Sequence, residues 1–208
     1  MIRIWVPGCA TGEEAYSIAM ALLDYLKESG IAFPVQIFAS DVSDTSLDTA
    51  RRGKYLENIV SDVPPERLKR YFTKCEFGYQ IIKAVRDLCV FSRHNLIDDP
   101  PFSKLDLISC RNVLIYLGAV QKNIIPVFHY ALNEDGFLML GFSETATMEE
   151  MFSPVERKKN FYAKNGRIGR PRGTLVRPTR GIAAAEKMPI PLRPLHSPTW
   201  QSVKPLIN

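Results

Sequence analysis

Residues 8–14, Gly-Cys-Ala-Thr-Gly-Glu-Glu, are the segment of this sequence best suited to hold a small molecule. Gly8 and Gly12 let the backbone approach a ligand closely and adopt conformations that other residues avoid. A helical pattern begins at Glu13, so the free N–H groups of a helix start lie beside the glycines. A glycine loop between a strand and a helix is typical of nucleotide-binding α/β proteins.

The spacing and charge of this loop narrow the choice of ligand. The pattern Gly8-x-x-x-Gly12 is not the dinucleotide fingerprint, and the Gly-Lys-Ser/Thr of a P-loop is missing. Glu13 and Glu14 would repel a phosphate and favour a ligand that carries positive charge. The same two acids are also explained as favourable charges at a helix N-terminus, and the residues alone leave both explanations open.

Asp41 ends the second predicted strand, where carboxylates bind ribose hydroxyls in this class of fold. The alternative role for Asp41 is that of an N-cap or turn residue, shared with Asp44. The sequence does not decide between these roles.

Polar residues also follow two later predicted strands. Asn95 lies where a side chain could reach an adenine edge, whereas His94 fits a surface or packing role better than that of a base. Arg111 and Asn112 come directly after a buried strand, at the sheet edge where ligands bind. Tyr116 either packs in the core or sits over a reacting group.

Alternating strand and helix patterns position these residues. Period and turn residues predict strands at 3–6, 35–39, 88–92, 105–110, 136–141 and 161–163, and helices at 13–27, 44–52, 64–72 and 119–132, the last interrupted or kinked near Pro126. A small antiparallel insertion is expected at about 74–85. The alternation predicts a largely parallel sheet covered on both faces.

Charge divides the chain into a domain, 1–164, and a tail, 165–208. The first part has 19 basic and 21 acidic residues, whereas the second has eight basic residues, one acid and seven of the 15 prolines. This composition predicts a linker or disordered tail. A basic patch for nucleic acid or anionic lipid is the alternative, but aromatic interleaving is missing, so we expect no nucleic-acid partner.

The four cysteines lie far apart and form no CxxC pair, which predicts reduced thiols in a cytoplasmic protein and no metal site. No run of about 18 apolar residues is present, so we expect no membrane insertion. The N-terminus also lacks the basic and apolar regions of a secretory signal.

Together, several segments resemble the CheR-type chemoreceptor glutamate methyltransferases, over roughly residues 2–164. The segments that carry the resemblance are Gly8–Met20, Ala39–Val42, Ala50–Tyr55, Asn95-Leu96, Cys110–Tyr116, Asp135–Leu138 and Gly141–Glu144. Residues 98–107 and 128–131 are most similar to the CheR module of fused CheB/CheR signalling proteins. The resemblance implies a class I S-adenosylmethionine-dependent methyltransferase fold, a Rossmann-like α/β sheet with a small antiparallel β insertion.

The resemblance also implies S-adenosyl-L-methionine as cofactor and a role for each matching residue. The cofactor-binding residues would be Gly8, Gly12, Glu14, Asp41, Asn95, Leu96, Arg111 and Asn112, and the catalytic residues Arg111 and Tyr116. Glu14 would lie near the amino group, Asp41 would hold the ribose, Asn95 and Leu96 would flank the adenine, and Tyr116 would face the methyl group. The resemblance also implies an N-terminal helical domain, and a segment just before the first strand with a Thr and an Arg near the active site; we expect both to be missing from this chain.

The implied activity is O-methylation of glutamate side chains on the cytoplasmic domain of a chemoreceptor, with S-adenosylhomocysteine as the second product. CheB-like or sensor kinase domains are further partners that the resemblance suggests. The alternative is a non-catalytic module that binds the cofactor or a signalling partner.

Overall fold

The computed structural model describes residues 1–144, 150–156 and 160–166, which form two β-sheets with helices around the larger one. The strands are β1 (Ile2–Pro7), β2 (Val35–Asp41), β3 (Lys54–Leu56), β4 (Phe72–Cys75), β5 (Gly78–Ile81), β6 (Cys89–Arg93), β7 (Leu105–Cys110), β8 (Leu132–Leu140), β9 (Phe152–Glu156) and β10 (Phe161–Lys164). The α-helices are α1 (Glu13–Ser29), α2 (Asp44–Arg52), α3 (Pro65–Tyr71), α4 (Lys83–Arg86) and α5 (Gln121–Ala131), and short 3-10 helices span Glu57–Ser61, Leu114–Tyr116 and Gly118–Val120.

The larger sheet has the strand order β6-β2-β1-β7-β8-β10-β9. Its first five strands pair in parallel, and β10 runs antiparallel to both β8 and β9. The chain builds outward from β1 to one side through β2 and to the other through β7, so the order reverses at β1. In open α/β sheets ligands bind at the carboxyl ends of the strands at such a reversal. The parallel pairing of the first five strands confirms the predicted largely parallel sheet.

Alternate residues of β1 supply two hydrophobic cores, one on each face of the sheet. Ile4 and Val6 belong to the core that includes the buried face of α1, with Ala19 at its centre. Trp5 belongs to the opposite core with Phe128 of α5, and both side chains are fully buried. Because successive strand residues face opposite sides, this central strand is covered by a helical layer on each face.

The smaller sheet, of order β3-β5-β4, is antiparallel, which confirms the predicted insertion as a structural type. Its bounds differ from the predicted 74–85, because β4 starts at Phe72 and residues after Ile82 form helix α4. Val85 of α4 is buried in the first core, so packing against that core, rather than strand pairing, accounts for the apolar residue at the end of the predicted insertion. The sequence did not indicate β3, whose three residues are too few to show a period of two.

The C-terminal part of the domain departs from the prediction in three places. Helix α5 runs through Pro126 without interruption; the proline removes one backbone donor, and the buried neighbours Ile125 and Phe128 hold the helix on the sheet. Strand β8 begins at Leu132 rather than at 136. Strand β9, which the sequence did not indicate, contains Pro154 and is an edge strand, where proline is tolerated.

The predicted tail lies outside the described residues except for Asn165 and Gly166, and both its disorder and the domain boundary remain predictions. In the part of the chain that is described, no helix is both long and apolar enough to cross a bilayer.

Replacing Phe128 with alanine should lower the free energy of unfolding by about 3–5 kcal/mol, because the change leaves a cavity in the core under α5. Denaturant unfolding measures the effect. The same substitution at Phe142, whose side chain is 88% exposed, should change stability by no more than about 0.5 kcal/mol. Equal losses from the two variants would contradict the assigned core.

Candidate functional site

The loop between β1 and α1 (residues 8–12, the glycine loop) has three residues with left-handed backbone. The φ angles are 67° at Gly8, 45° at Ala10 and 93° at Gly12. The Gly12 N–H donates to the carbonyl of Cys9 at 2.8 Å, and the Cys9 N–H donates to the carbonyl of Ser40 at 3.0 Å. Ala10 is strained in this conformation, so neighbouring groups must hold it there.

Neither glycine of the loop has room for a side chain. A Cβ atom at Gly8 would lie 2.3 Å from Cγ2 of Val113, and one at Gly12 would lie 2.9 Å from Cβ of Ala50 and 3.2 Å from the ring of Phe91. The glycine loop therefore touches both the segment that follows β7 and the layer formed by α2 and β6. Both the positive φ angles and these contacts require glycine.

Asp41 lies at the end of β2 and binds the glycine loop through its carboxylate. Its Oδ2 accepts the N–H of Ala10 at 2.9 Å, and its Oδ1 accepts the N–H of Ser43 at 2.9 Å. Ser43, not Asp41 or Asp44, is the N-cap of α2, because its hydroxyl accepts the N–H of Ser46. Asp41 thus has the turn role that the sequence suggested, and its carboxylate keeps acceptor capacity for ligand hydroxyls.

Glu13 and Glu14, equivalent in the sequence, differ in the structure. Glu13 is exposed and accepts the hydroxyl of Thr11 at 2.7 Å. The Glu14 carboxylate is half-buried and accepts the hydroxyl of Ser109, on β7, at 2.5 Å. Burial raises the pKa of Glu14, while the Ser109 hydrogen bond and the charge of Arg111 oppose the shift. Glu14 is the member of the pair placed to meet a cationic group.

Asn95 and Leu96 begin the loop after β6, beside Asp41. The His94 N–H donates to the Asp41 carbonyl at 3.0 Å, which sets this placement. The Asn95 amide donates to Asp98 at 2.6 Å, so the side chain stabilises its own turn, while Leu96 packs against the second core. His94 packs against the edge of Trp5, which agrees with the packing role expected for it.

Arg111, Asn112 and Tyr116 lie on the segment after β7. Asn112 has a positive φ of 57°, and the Arg111 side chain is exposed but close enough to Glu14 to influence its ionisation. Tyr116 is 81% exposed, so the packing role that the sequence allowed for it is wrong. The structure thus places Arg111 and Tyr116 on the solvent side of the site.

Two residues that shape the site, Ser109 and Glu144, had no role indicated by the sequence. Ser109 is fully buried and binds Glu14; a hydroxyl inside the apolar run 105–110 was the feature that could have indicated it. Glu144 is also buried and contacts the segment after β7 through its carboxylate. The feature that could have indicated Glu144 is an acidic residue soon after the apolar run at 136–141.

The arrangement favours a ligand with hydroxyl groups at one end and a positive charge at the other. Asp41 comes from the β2 side of β1, and Glu14 is held on the β7 side, so the glycine loop lies between two carboxylates.

Burial raises the pKa of the Cys9 thiol to about 12, with a further contribution from the charge of Asp41. The thiol is therefore neutral at physiological pH and is no candidate nucleophile.

Residues 1–161 match a family model described as "CheR methyltransferase, SAM binding domain". A chemotaxis protein methyltransferase from Borreliella burgdorferi is 37% identical over 166 residues, which are 76% of this chain and 59% of that protein. An uncharacterized 104.1 kDa protein from Rhodobacter capsulatus is 43% identical over 163 residues, 77% of this chain and 17% of that protein. The chain thus spans less than two thirds of the length of these relatives.

A solved S-adenosylmethionine dependent methyltransferase from Mesorhizobium loti is 18% identical with a TM-score of 0.37, covering 67% of this chain and 45% of that one. So loose an overlap supports no functional comparison. The family match, together with the strand order, confirms the predicted class I methyltransferase fold and S-adenosylmethionine as the cofactor of the domain. The chain belongs to the CheR methyltransferase family and contains its S-adenosylmethionine-binding domain.

Proposed function

We propose that this chain methylates glutamate side chains on the cytoplasmic domain of chemotaxis receptors, using S-adenosylmethionine bound at the glycine loop. When bound, the cofactor would supply a methyl group on a positively charged sulfur; a γ-carboxylate oxygen would bond to the methyl carbon as the carbon–sulfur bond breaks, giving a methyl ester and S-adenosylhomocysteine. The observation that carries the proposal is the placement of Asp41 and Glu14 on the two flanks of the glycine loop, in a domain of this family.

The residues around the glycine loop fit the cofactor. The absence of side chains at Gly8 and Gly12 lets Val113, Ala50 and Phe91 pack against the loop, and the free backbone of the loop at the carboxyl ends of the strands would lie against the cofactor. The Asp41 carboxylate would accept hydrogen bonds from the two ribose hydroxyls, since its hydrogen bonds with the N–H groups of Ala10 and Ser43 leave lone pairs unused. The Glu14 carboxylate would accept a hydrogen bond from the amino group of the methionine part. The positive charge of that amino group would stabilise the ionised carboxylate.

The remaining cofactor contacts are assigned to the loops after β6 and β7. Leu96 would pack against the adenine, and Asn95, whose amide is engaged with Asp98, would flank it mainly through its backbone. Asn112 would line the methionine end, beside Arg111.

Arg111 and Tyr116 are the residues that would meet the substrate. The glutamate carboxylate is ionised at neutral pH, so the reaction needs no general base and depends on alignment of the reacting atoms. The exposed guanidinium of Arg111 would attract the carboxylate by charge-assisted hydrogen bonds. The Tyr116 hydroxyl would orient it toward the methyl group. The expected links to CheB-like or sensor kinase domains stay predictions.

Transfer of tritiated methyl groups to receptor-containing membranes tests the proposed function. The 208-residue chain should label the receptor with base-labile methyl esters, and Tyr116→Phe should reduce the rate about tenfold or more, because it removes a hydrogen bond to a charged group. Tyr130→Phe, at a tyrosine that is 74% exposed on α5, should have no effect. Cofactor binding by the wild type without any label would favour the non-catalytic alternative.

Asp41→Asn should weaken binding of S-adenosylhomocysteine about tenfold or more, because an amide cannot accept both ribose hydroxyls while holding Ala10 and Ser43. Isothermal titration calorimetry measures the dissociation constant. Asp44→Asn, three residues away and exposed, is the matched control and should bind as the wild type does. Equal affinities for all three proteins would remove Asp41 from the site.

Replacing Glu14 with glutamine should remove the part of the pH dependence of the free energy of unfolding that comes from this carboxyl group. Because the pKa of Glu14 is raised in the folded state, the folded protein holds this proton more tightly than the unfolded chain does. The free energy of unfolding therefore falls as pH rises from the ordinary carboxyl value through the raised pKa. The variant should lose this fall and also bind S-adenosylhomocysteine more weakly at neutral pH.

Thermal unfolding between pH 4 and pH 8, with calorimetric titration at neutral pH, checks both effects of the Glu14 substitution. Glu13→Gln is the control, since the Glu13 side chain is exposed and bonds to Thr11. A Glu13 variant that reproduces both effects would show that the assignment of roles within the pair is wrong.

A further inference from the structure

Glu144 is the one acidic residue that is fully buried among residues 1–144, 150–156 and 160–166, with only 2% of its surface exposed. A buried carboxylate is costly unless hydrogen bonds satisfy it. Glu144 follows β8, two strands away from the glycine loop, and the proposed reaction does not use it directly. Its partners therefore indicate what its burial achieves.

Four backbone N–H groups donate to the Glu144 carboxylate. Its Oε1 accepts from Val113 at 2.9 Å and from Leu114 at 2.7 Å, and its Oε2 accepts from Gly141 at 2.7 Å and from Asn112 at 3.0 Å. A carboxylate has about four acceptor positions, so this one is fully satisfied. Hydrogen bonds to an ionised acceptor are stronger than neutral ones, which makes the carboxylate a firm anchor for the three residues 112–114.

The loop that carries Glu144 is fixed from its other side. The Asn160 side-chain amide shares its two N–H groups among three carbonyl oxygens, those of Gly141 at 2.7 Å, Phe142 at 3.0 Å and Glu144 at 2.8 Å. Gly141 has no room for a side chain, because a Cβ atom there would lie 2.6 Å from Oε2 of Glu144. The anchor is thus itself held in place by Asn160, the residue directly before β10.

The anchored segment is the one that touches the glycine loop. Val113 packs against Gly8 so closely that no Cβ fits between them. Asn112, whose left-handed φ is unfavourable for a non-glycine residue, donates its N–H to the Glu144 carboxylate and is held in that conformation. Arg111 and Tyr116 flank the anchored residues at either end.

We propose that Glu144 is a positioning residue, whose carboxylate fixes residues 112–114 against the glycine loop and so holds the cofactor site in its binding shape. The expected effect on cofactor binding rests on the proposed function. The link between residues 112–114 and the glycine loop does not depend on it. A merely structural role would lower the melting temperature and leave the glycine loop and its ligand affinity unchanged.

Hydrogen exchange measured by mass spectrometry on the 208-residue chain tests the link between the loops. In Glu144→Gln, which keeps the size but loses the charge and one acceptor oxygen, exchange in peptides spanning residues 8–12 should rise about tenfold, together with that of residues 112–114. Faster exchange confined to residues 112–114 and 141 would overturn the proposal.

Two further variants separate positioning from general destabilisation. Phe128→Ala destabilises the core under α5 and should leave exchange at residues 8–12 within about threefold of the wild type, because local openings govern it. Glu144→Asp keeps the charge but is one methylene shorter, so its exchange should lie between those of the wild type and Glu144→Gln. If Glu144→Gln does not accumulate as a folded protein, Glu144→Asp supplies the test by the same comparison.

Titration with S-adenosylhomocysteine adds a readout of function. Glu144→Gln should bind about tenfold more weakly than the wild type, and Phe128→Ala should bind equally well once corrected for its folded fraction. Unchanged affinity in Glu144→Gln, with unchanged exchange at residues 8–12, overturns the inference. A wild type that binds no S-adenosylhomocysteine would instead end the proposed function, while the exchange comparison would still decide the role of Glu144.

Discussion

The hydrogen bond from the Ala10 N–H to the Asp41 carboxylate holds the strained residue of the glycine loop in place. Ala10 lies in the left-handed region, where a residue with a side chain is strained. The bond offsets this strain and joins the ends of β1 and β2, the strands on one side of the reversal in the sheet. Contacts with Val113 at Gly8 and with Phe91 at Gly12 pack the two ends of the same loop.

The buried Glu144 and the half-buried Glu14 show how hydrogen bonding separates a structural carboxylate from one available to a ligand. Glu144 accepts four backbone N–H groups. Glu14 accepts one hydroxyl, and burial raises its pKa. A carboxylate with unused acceptor capacity in a partly desolvated position gains most from a cationic partner. The same residue type thus stabilises the scaffold at position 144 and favours ligand binding at position 14.

The features that the sequence predicted well are local ones. The glycine loop, the start of α1 at Glu13 and the end of β2 at Asp41 depend on residues that are neighbours in the chain. The features it missed depend on distant partners: the acceptor role of Glu144 needs donors about 30 residues away, and Ser109 matters through a contact with Glu14. Tyr116 had an apolar sequence environment, yet it is exposed, because burial depends on which elements cover a segment.

The antiparallel direction of β10 determines where the chain leaves the sheet. Lys164, at the end of β10, donates to the carbonyl of Leu132 at the start of β8, so Gly166 lies near the amino ends of the parallel strands. Met1 enters β1 at that same end, where the Ile2 N–H meets the carbonyl of Pro34. A tether attached at Met1 or Gly166, to a surface or to a fluorophore, would therefore start at the amino ends of the parallel strands. The glycine loop lies at the opposite, carboxyl ends of these strands.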